Sequence, residues 1–258
     1  MRIPAFIIVM VELLARHLNL FASRRLLLDT LTMLFERRRP PGTWPTLSEW
    51  VALIEHIRAD STSRLGQYRE ATLYGLKSIL RGLGQVVNCT SSNMLDRMYG
   101  ELQTFIIITD GLSADLASFL ASLMMFWAYE SREWVSDAVR PPLIFVLDDA
   151  LPMVLGTGLD VEGGLNPLST WAFMGRGRGM GMVVSAQNFS LIHPALRNNT
   201  DTIMAFASYG RDAEELSRFM NLTREQAAML PILRPGQAVA LARSAWPLAV
   251  HGLVPRVR

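Results

Sequence analysis

The chain of 258 residues is half apolar and 19% charged, with a net charge of +2 and a mean hydropathy of +0.22. That balance excludes a disordered, mucin-like or collagen-like chain, because low hydrophobicity and high charge are what keep a polypeptide from collapsing. It leaves one large α/β domain or two smaller ones.

The opening residues, Met1 to Leu14, are apolar but carry Arg2 and Glu12 without a small-residue cleavage site, so a signal peptide is not expected. Residues 8 to 36 read as helices, with apolar side chains recurring at three and four spacing through Leu13, Leu14 and Leu18, then Leu26, Leu27, Leu31, Leu34 and Phe35. Arg37 to Arg39 suit a helix C-terminus, and Pro40-Pro41 forbid continuation. Thr46 with Glu49 predicts a capping box ahead of Trp50, Leu53 and Ile54, and a longer helix follows from about Leu65 to Leu83. Lys77, the sole lysine among 25 basic residues, falls inside it. The cations are therefore guanidinium groups suited to bidentate contacts, and lysine general-base or Schiff-base chemistry loses its usual residue. A single cysteine, Cys89, cannot form an internal disulfide, which points to a reducing, cytoplasmic setting.

The character changes near residue 101. Residues 1–100 are expected to be mostly helical, and 101–258 to form an α/β core. Leu102 to Thr109 predicts a buried strand ending at Asp110-Gly111, with a turn role for Asp110. Ser113 caps an apolar helix running to about Trp134, whose stretch from Leu116 to Tyr129 falls short of the about 20 residues a membrane span needs. Leu143 to Leu147 predicts a second buried strand, Met180 to Ala186 a third and Thr202 to Ala207 a fourth. Helices follow at 212 to 221 and behind the Thr223 and Gln226 cap, and Gly236 to Arg243 with Pro247 to His251 read as a terminal hairpin. Buried strands separated by helices imply a mainly parallel sheet with covered faces, so the fold class is α/β.

Two features could carry chemistry. The strand Leu143-Ile144-Phe145-Val146-Leu147 delivers Asp148 and Asp149 at its carboxyl end, where open α/β sheets bind ligands. In a nucleotide-hydrolysing site the first would hold Mg²⁺ through water and the second would polarise the attacking water; acidic pairs after strands also serve as turn and cap residues. The second is Gly175-Arg176-Gly177-Arg178-Gly179-Met180-Gly181, leading into a strand that ends at Ser185-Ala186-Gln187. Its glycines precede a strand, so it is no dinucleotide fingerprint. Its arginines could meet phosphate or be solvated, and Gln187 could satisfy a loop. His17, His56, His193 and His251 are too scattered for a local metal-ligand pair.

Taken in order, the Asp148-Asp149 strand, the glycine-arginine turn, the strand ending in Ala186-Gln187, Asn198-Asn199-Thr200 and Leu230-Pro231-Ile232-Leu233-Arg234-Pro235-Gly236-Gln237 closely resemble the second half of the HerA and FtsK class of hexameric ATPases. That class includes the coupling and assembly ATPases of type IV secretion and conjugation. The resemblance covers about residues 102 to 251. It implies a RecA-like core, ATP and Mg²⁺ as cofactors, a homo-oligomeric hexameric ring, DNA or alternatively a protein as the translocated partner, and association with membrane-bound secretion machinery. By the same resemblance Asp148 is the Mg²⁺-linked acid of the Walker B strand, and Asp149 stands where the family has a glutamate. Arg176, ahead of Arg178, is the arginine finger directed at a neighbouring subunit, and Gln187 is the sensor at the strand end.

One family motif has no counterpart in these residues. A P-loop needs G-x-x-x-x-G-K-[ST] after a strand, whereas Lys77-Ser78 follows Leu76 within a helical pattern, and is rejected. Because the family's P-loop strand precedes all the matched pieces, Met1 is expected to lie downstream of it. The implied protein is a motor subunit without its P-loop. The alternative is a non-catalytic partner that lends an interface and Arg176 to an intact ATPase. Sequencing upstream of Met1 for the motif separates these readings.

Overall fold

The computed structural model describes residues 3–37, 43–84, 87–90, 104–132, 143–150 and 174–254. They fall into two compact units, one of residues 1–143 with 175–181 and one of residues 144–174 with 182–258.

The first unit is a helical assembly. α1 (Ile3–His17) ends in a left-handed turn: Asn19 has φ +53°, and the Leu20 N–H reaches the Ala15 carbonyl at 2.8 Å. Asparagine tolerates this conformation, and the bond satisfies a carbonyl that the helix end would otherwise orphan. After a 3₁₀ turn at Phe21–Ser23 comes α2 (Arg24–Glu36), which stops at Arg37 in extended conformation. α3 (Leu47–Glu55) opens on the complete capping box: the Thr46 hydroxyl accepts from Glu49 N–H at 3.1 Å, and Glu49 Oε2 accepts from Thr46 N–H at 2.7 Å. α4 (Arg64–Leu83) packs close to the α1–α2 turn, and a Cβ on Gly75 would sit 3.0 Å from Leu18 Cδ1. α5 (Ala114–Ser131) starts at the Ser113 cap.

Leu14, Leu27, Leu34, Ile54, Leu76 and Ile79 bury together between these helices, each with at most 1% exposure. Phe6, Phe35, Trp44 and Trp127 meet edge-on beside them, with ring centroids 5.6 to 6.4 Å apart. Edge-to-face contacts suit the ring quadrupole. One polar pair is enclosed in this packing. Trp50 Nε1 donates to Thr30 Oγ1 at 2.8 Å, and the Thr30 hydroxyl donates to the Leu26 carbonyl at 2.7 Å. Thr30→Val keeps the shape but removes the acceptor, leaving a buried indole N–H without its partner. The expected loss is about 2 kcal/mol in urea unfolding, and a variant as stable as the wild type would contradict it.

β1 (Leu143–Leu147) and β2 (Met180–Val184) pair with each other. Leu143 N–H donates to Gly179 O and Ser185 N–H to Leu147 O, a register that advances along both strands and makes the pair parallel. The division between the units passes through these two strands. In the second unit, β3 (Thr202–Ala205), β4 (Gln237–Ala242) and β5 (Trp246–Leu253) form an antiparallel sheet in that order, so the expected hairpin gains β3 as a third strand. Ile203, Leu241 and Val239 bury one face of it against Leu216 and Met220 of α7 (Gly210–Phe219) and against Leu230. α6 (Pro194–Asn199) and α8 (Arg224–Met229) complete this layer. The chain is thus α/β, with a helical N-terminal region.

Two expectations change. Among the described residues of the expected strand at 102–109, 104–109 belong to no strand, and Ile106 and Ile108 are 84% and 76% exposed. An isoleucine run favours extended backbone, but a strand forms only where a neighbour takes its N–H and C=O groups, and here none of those described does. Leu102 and Gln103 lie outside the described residues. β1 is likewise covered on one side only: Ile144 and Val146 are 57% and 69% exposed. A continuous apolar run is therefore not sufficient to establish burial on both faces.

Candidate functional site

The carboxylate pair sits where β1 ends. Asp148 and Asp149 are both exposed and lie in a turn, which Ala150 leaves by donating its N–H to Ser185 O at 2.9 Å. Asp149 is in the left-handed region, φ +47°, and its N–H donates to Asp148 Oδ1 at 3.1 Å. Aspartate is among the few side chains that enter this region at low cost, because its short polar group can bond locally. Glutamate enters this region less readily than aspartate, so the shorter acid suits the turn.

Gln187 stands just past β2 and is exposed. Its Nε2 donates to Asp149 Oδ1 at 3.2 Å. The ends of two parallel strands therefore bring Asp148, Asp149 and Gln187 together. This is the edge at which open α/β sheets present ligand-contacting groups. Two solvent-facing carboxylates with an amide beside them match the hard oxygen donors that Mg²⁺ takes alongside its waters.

Arg176 and Arg178 belong to the other unit, in a 3₁₀ turn at Gly175–Arg178. Gly179 N–H closes the turn on the Arg176 carbonyl at 3.0 Å, with φ +65° at Gly179. A side chain there would be strained, which accounts for glycine at this position. The two arginines differ in their surroundings. Arg176 projects into solvent, whereas Arg178 lies over the Tyr129 ring, 3.7 Å from its centroid, and donates to the Tyr129 carbonyl. Arg132, 5% exposed, donates from Nε to the Arg178 carbonyl at 3.0 Å. Tyr129 and Arg132 did not emerge from the sequence, since separations of 49 and 46 residues leave no local pattern.

The remaining groups are occupied in ways that do not make a site. Lys77 lies within α4 and pairs with Glu55 at 2.7 Å, a bond that holds the Glu55 carboxyl below its ordinary range. It is not placed as a phosphate ligand. Asp110 lies in a turn closed by Leu112 N–H on Thr109 O. His56 Nδ1 is 2.7 Å from the Ala52 carbonyl, and His193 Nδ1 accepts from Ala195 N–H as the cap of α6. Among the described residues no group of His, Cys, Asp or Glu forms a metal cluster, and no helix is long and apolar enough to cross a membrane. Asp148 and Asp149 thus offer oxygen donors of the kind Mg²⁺ takes, and the motif G-x-x-x-x-G-K-[ST] does not occur in the sequence.

No protein-family model matches the chain, and no curated protein does. Solved structures do. VirB4 of Thermoanaerobacter pseudethanolicus superposes with a TM-score of 0.65 at 15% identity, over 96% of this chain and 69% of its own. The bacterial conjugative coupling protein TrwB superposes with a TM-score of 0.58 at 12% identity, over 96% of this chain and 65% of its own. At such identities the likeness speaks for architecture alone. The chain has a RecA-like α/β fold of the kind found in VirB4 and TrwB.

Proposed function

We propose that the chain is a motor subunit of the HerA and FtsK class, using ATP to move DNA through a homo-oligomeric, hexameric ring in the cytoplasm at a conjugation or secretion machine. In this reading residues 101–258 form the RecA-like core and residues 1–100 a helical region. The observation that carries it is the Gln187 to Asp149 hydrogen bond at the ends of the parallel strands, with Asp148 beside it. Asp148 would hold Mg²⁺ through water, Asp149 would orient the attacking water, and Gln187 would report the state of the bound nucleotide through that bond. The ion supplies charge neutralisation on the phosphate oxygens. Arg176 would act in the neighbouring subunit's site.

A second reading is favoured by the contrast between Arg176, which is exposed, and Lys77, which is held by Glu55. The chain would then serve as a finger donor to an ATPase whose own P-loop cradles the phosphates. Both readings meet in one experiment. The chain is mixed with a homologue that carries a complete G-x-x-x-x-G-K-[ST] motif and whose own finger arginine is replaced by alanine, and ATP hydrolysis is followed. The chain is expected to restore turnover, and Asp148→Ala in it should remove part of the gain if its own site contributes. No gain from the wild-type chain would sink both readings. Low-salt hydrolysis unchanged by added DNA would sink the DNA half alone, since phosphate contacts are strongest there.

A further inference from the structure

Arg178 lies in the glycine-rich turn, yet its side chain turns away from solvent toward the end of a helix. α5 ends at Ser131, and Arg132 beyond it is extended. The last four carbonyls of any helix lack intrahelical partners, and the negative end of the helix dipole gathers there. Tyr129 contributes one of those carbonyls and receives the Arg178 guanidinium, which also stacks on its ring. The bond is reciprocated by Arg132, the first residue past the helix, which donates into the Arg178 carbonyl. Two guanidinium-to-carbonyl bonds therefore tie the helix end and the turn together. The turn is fixed again on its far side, where Leu143 N–H donates to Gly179 O at 3.0 Å.

We propose that Arg178 is a positioning residue whose guanidinium caps the C-terminal end of α5 and so fixes the turn that presents Arg176. The proposal rests on the reading of Arg176 as a finger. A finger must meet a phosphate in another subunit, and an error near 1 Å in such a group costs about a hundredfold in rate. A turn with glycine at 175, 177, 179 and 181 has little stiffness of its own. The planar, always charged arginine fork supplies the anchor in a way that a lysine cannot, because it stacks and bonds at once.

Hydrogen exchange on the chain alone tests the clamp without reference to catalysis. Arg178→Ala is expected to speed exchange at the Gly179 and Leu143 amides by about tenfold or more, as loss of a charge-assisted bond should. Arg176→Ala should leave them at the wild-type rate. Rates within about twofold of wild type in Arg178→Ala would overturn the clamp. If Arg178→Ala also speeds the α7 amides and so loosens the whole chain, Arg178→Lys decides: intermediate protection supports the proposal and wild-type protection overturns it. In the mixed hydrolysis assay Arg178→Ala should lower kcat by about ten- to a hundredfold with KM unchanged, and Arg178→Lys should recover part of it. Abolition by Arg176→Ala with no effect of Arg178→Ala would leave the finger reading standing and refute positioning. Faster exchange with neither variant touching hydrolysis would refute the finger reading and leave the clamp.

Discussion

Replacing Arg176 by alanine is expected to cut the hydrolysis that this chain restores to a finger-less partner by about a thousandfold or more, the scale on which an arginine finger stabilises the transferring phosphoryl group. The prediction follows from where the side chain is. Arg176 is exposed at a closed turn, and its guanidinium makes no hydrogen bond or ion pair with the described residues. Nothing among the described residues is left unsatisfied by removing it, so the thermal midpoint should hold, because surface substitutions of this kind stay within about 0.5 kcal/mol. Rate loss without stability loss is thus the signature to look for. Arg176→Lys should recover little, since an ammonium offers a point charge without the bidentate fork. Hydrolysis within twofold of wild type in Arg176→Ala would remove the finger role, and with it the reason for the Arg178 clamp to matter in catalysis.

The helices were largely legible in the sequence because helices declare themselves locally. The Thr46 and Glu49 pair, the Ser113 cap, the Thr223 and Gln226 pair and the three-and-four spacing of Leu27, Leu31 and Leu34 are each contained within a few residues, and each was found in its place. Strands are different, since a run of isoleucines says only that extended backbone is comfortable. The residues at 104–109 have that composition and make no ladder, while Leu143 to Leu147, of similar character, pairs with β2. What separates them is a partner distant in the chain, which no local window contains. The Asn19 turn after α1 could have been read from sequence, since asparagine is a common left-handed helix stop.

The candidate site shows the same limit from the other side. The order of Asp148, Asp149, Arg176 and Gln187 along the chain was visible, as was the suitability of each residue for its chemistry. The bond between Gln187 and Asp149 was not, because it depends on parallel pairing across 38 positions. Nor could the sequence distinguish the two arginines of the turn by their surroundings. Only the end of α5, where the Tyr129 carbonyl and ring receive it, leaves Arg178 half-buried and Arg176 outside. The left-handed backbone at Asp149 similarly gives a local reason for aspartate where the resemblance led one to expect glutamate.

Stability should fall by about 3 kcal/mol as the pH drops from 6.5 to 4, and His17 is the cause. The ring sits at the last turn of α1, a place where the helix dipole would favour a cation. Burial wins instead. The imidazole packs edge-on to Phe119 of α5, and its pKa is lowered from 6.5 to about 4, first by loss of water and then by Arg16, with Asp115 opposing. The folded state therefore prefers the neutral ring. Above pH 6.5 both states are neutral and the full stability is present; below it the unfolded chain takes up a proton that the folded chain refuses until about pH 4. Each unit of separation is worth about 1.4 kcal/mol, so the decline accumulates across that window and then levels. Carboxylates held low by their partners, Glu55 by Lys77 and Glu215 by Arg211 and Arg197, act in a lower range, because their contribution is complete above the ordinary carboxylate pKa and fades only beneath it. The window between 5 and 6.5 consequently lies above the range in which those carboxylates act. Urea unfolding at half-unit steps should show the slope in the wild type, and His17→Phe, which keeps an aromatic edge against Phe119 but cannot titrate, should lose most of it. An equal slope in both proteins would show that His17 is already as solvated in the folded chain as in the unfolded one, and the packing of α1 against α5 at this point would have to be redrawn.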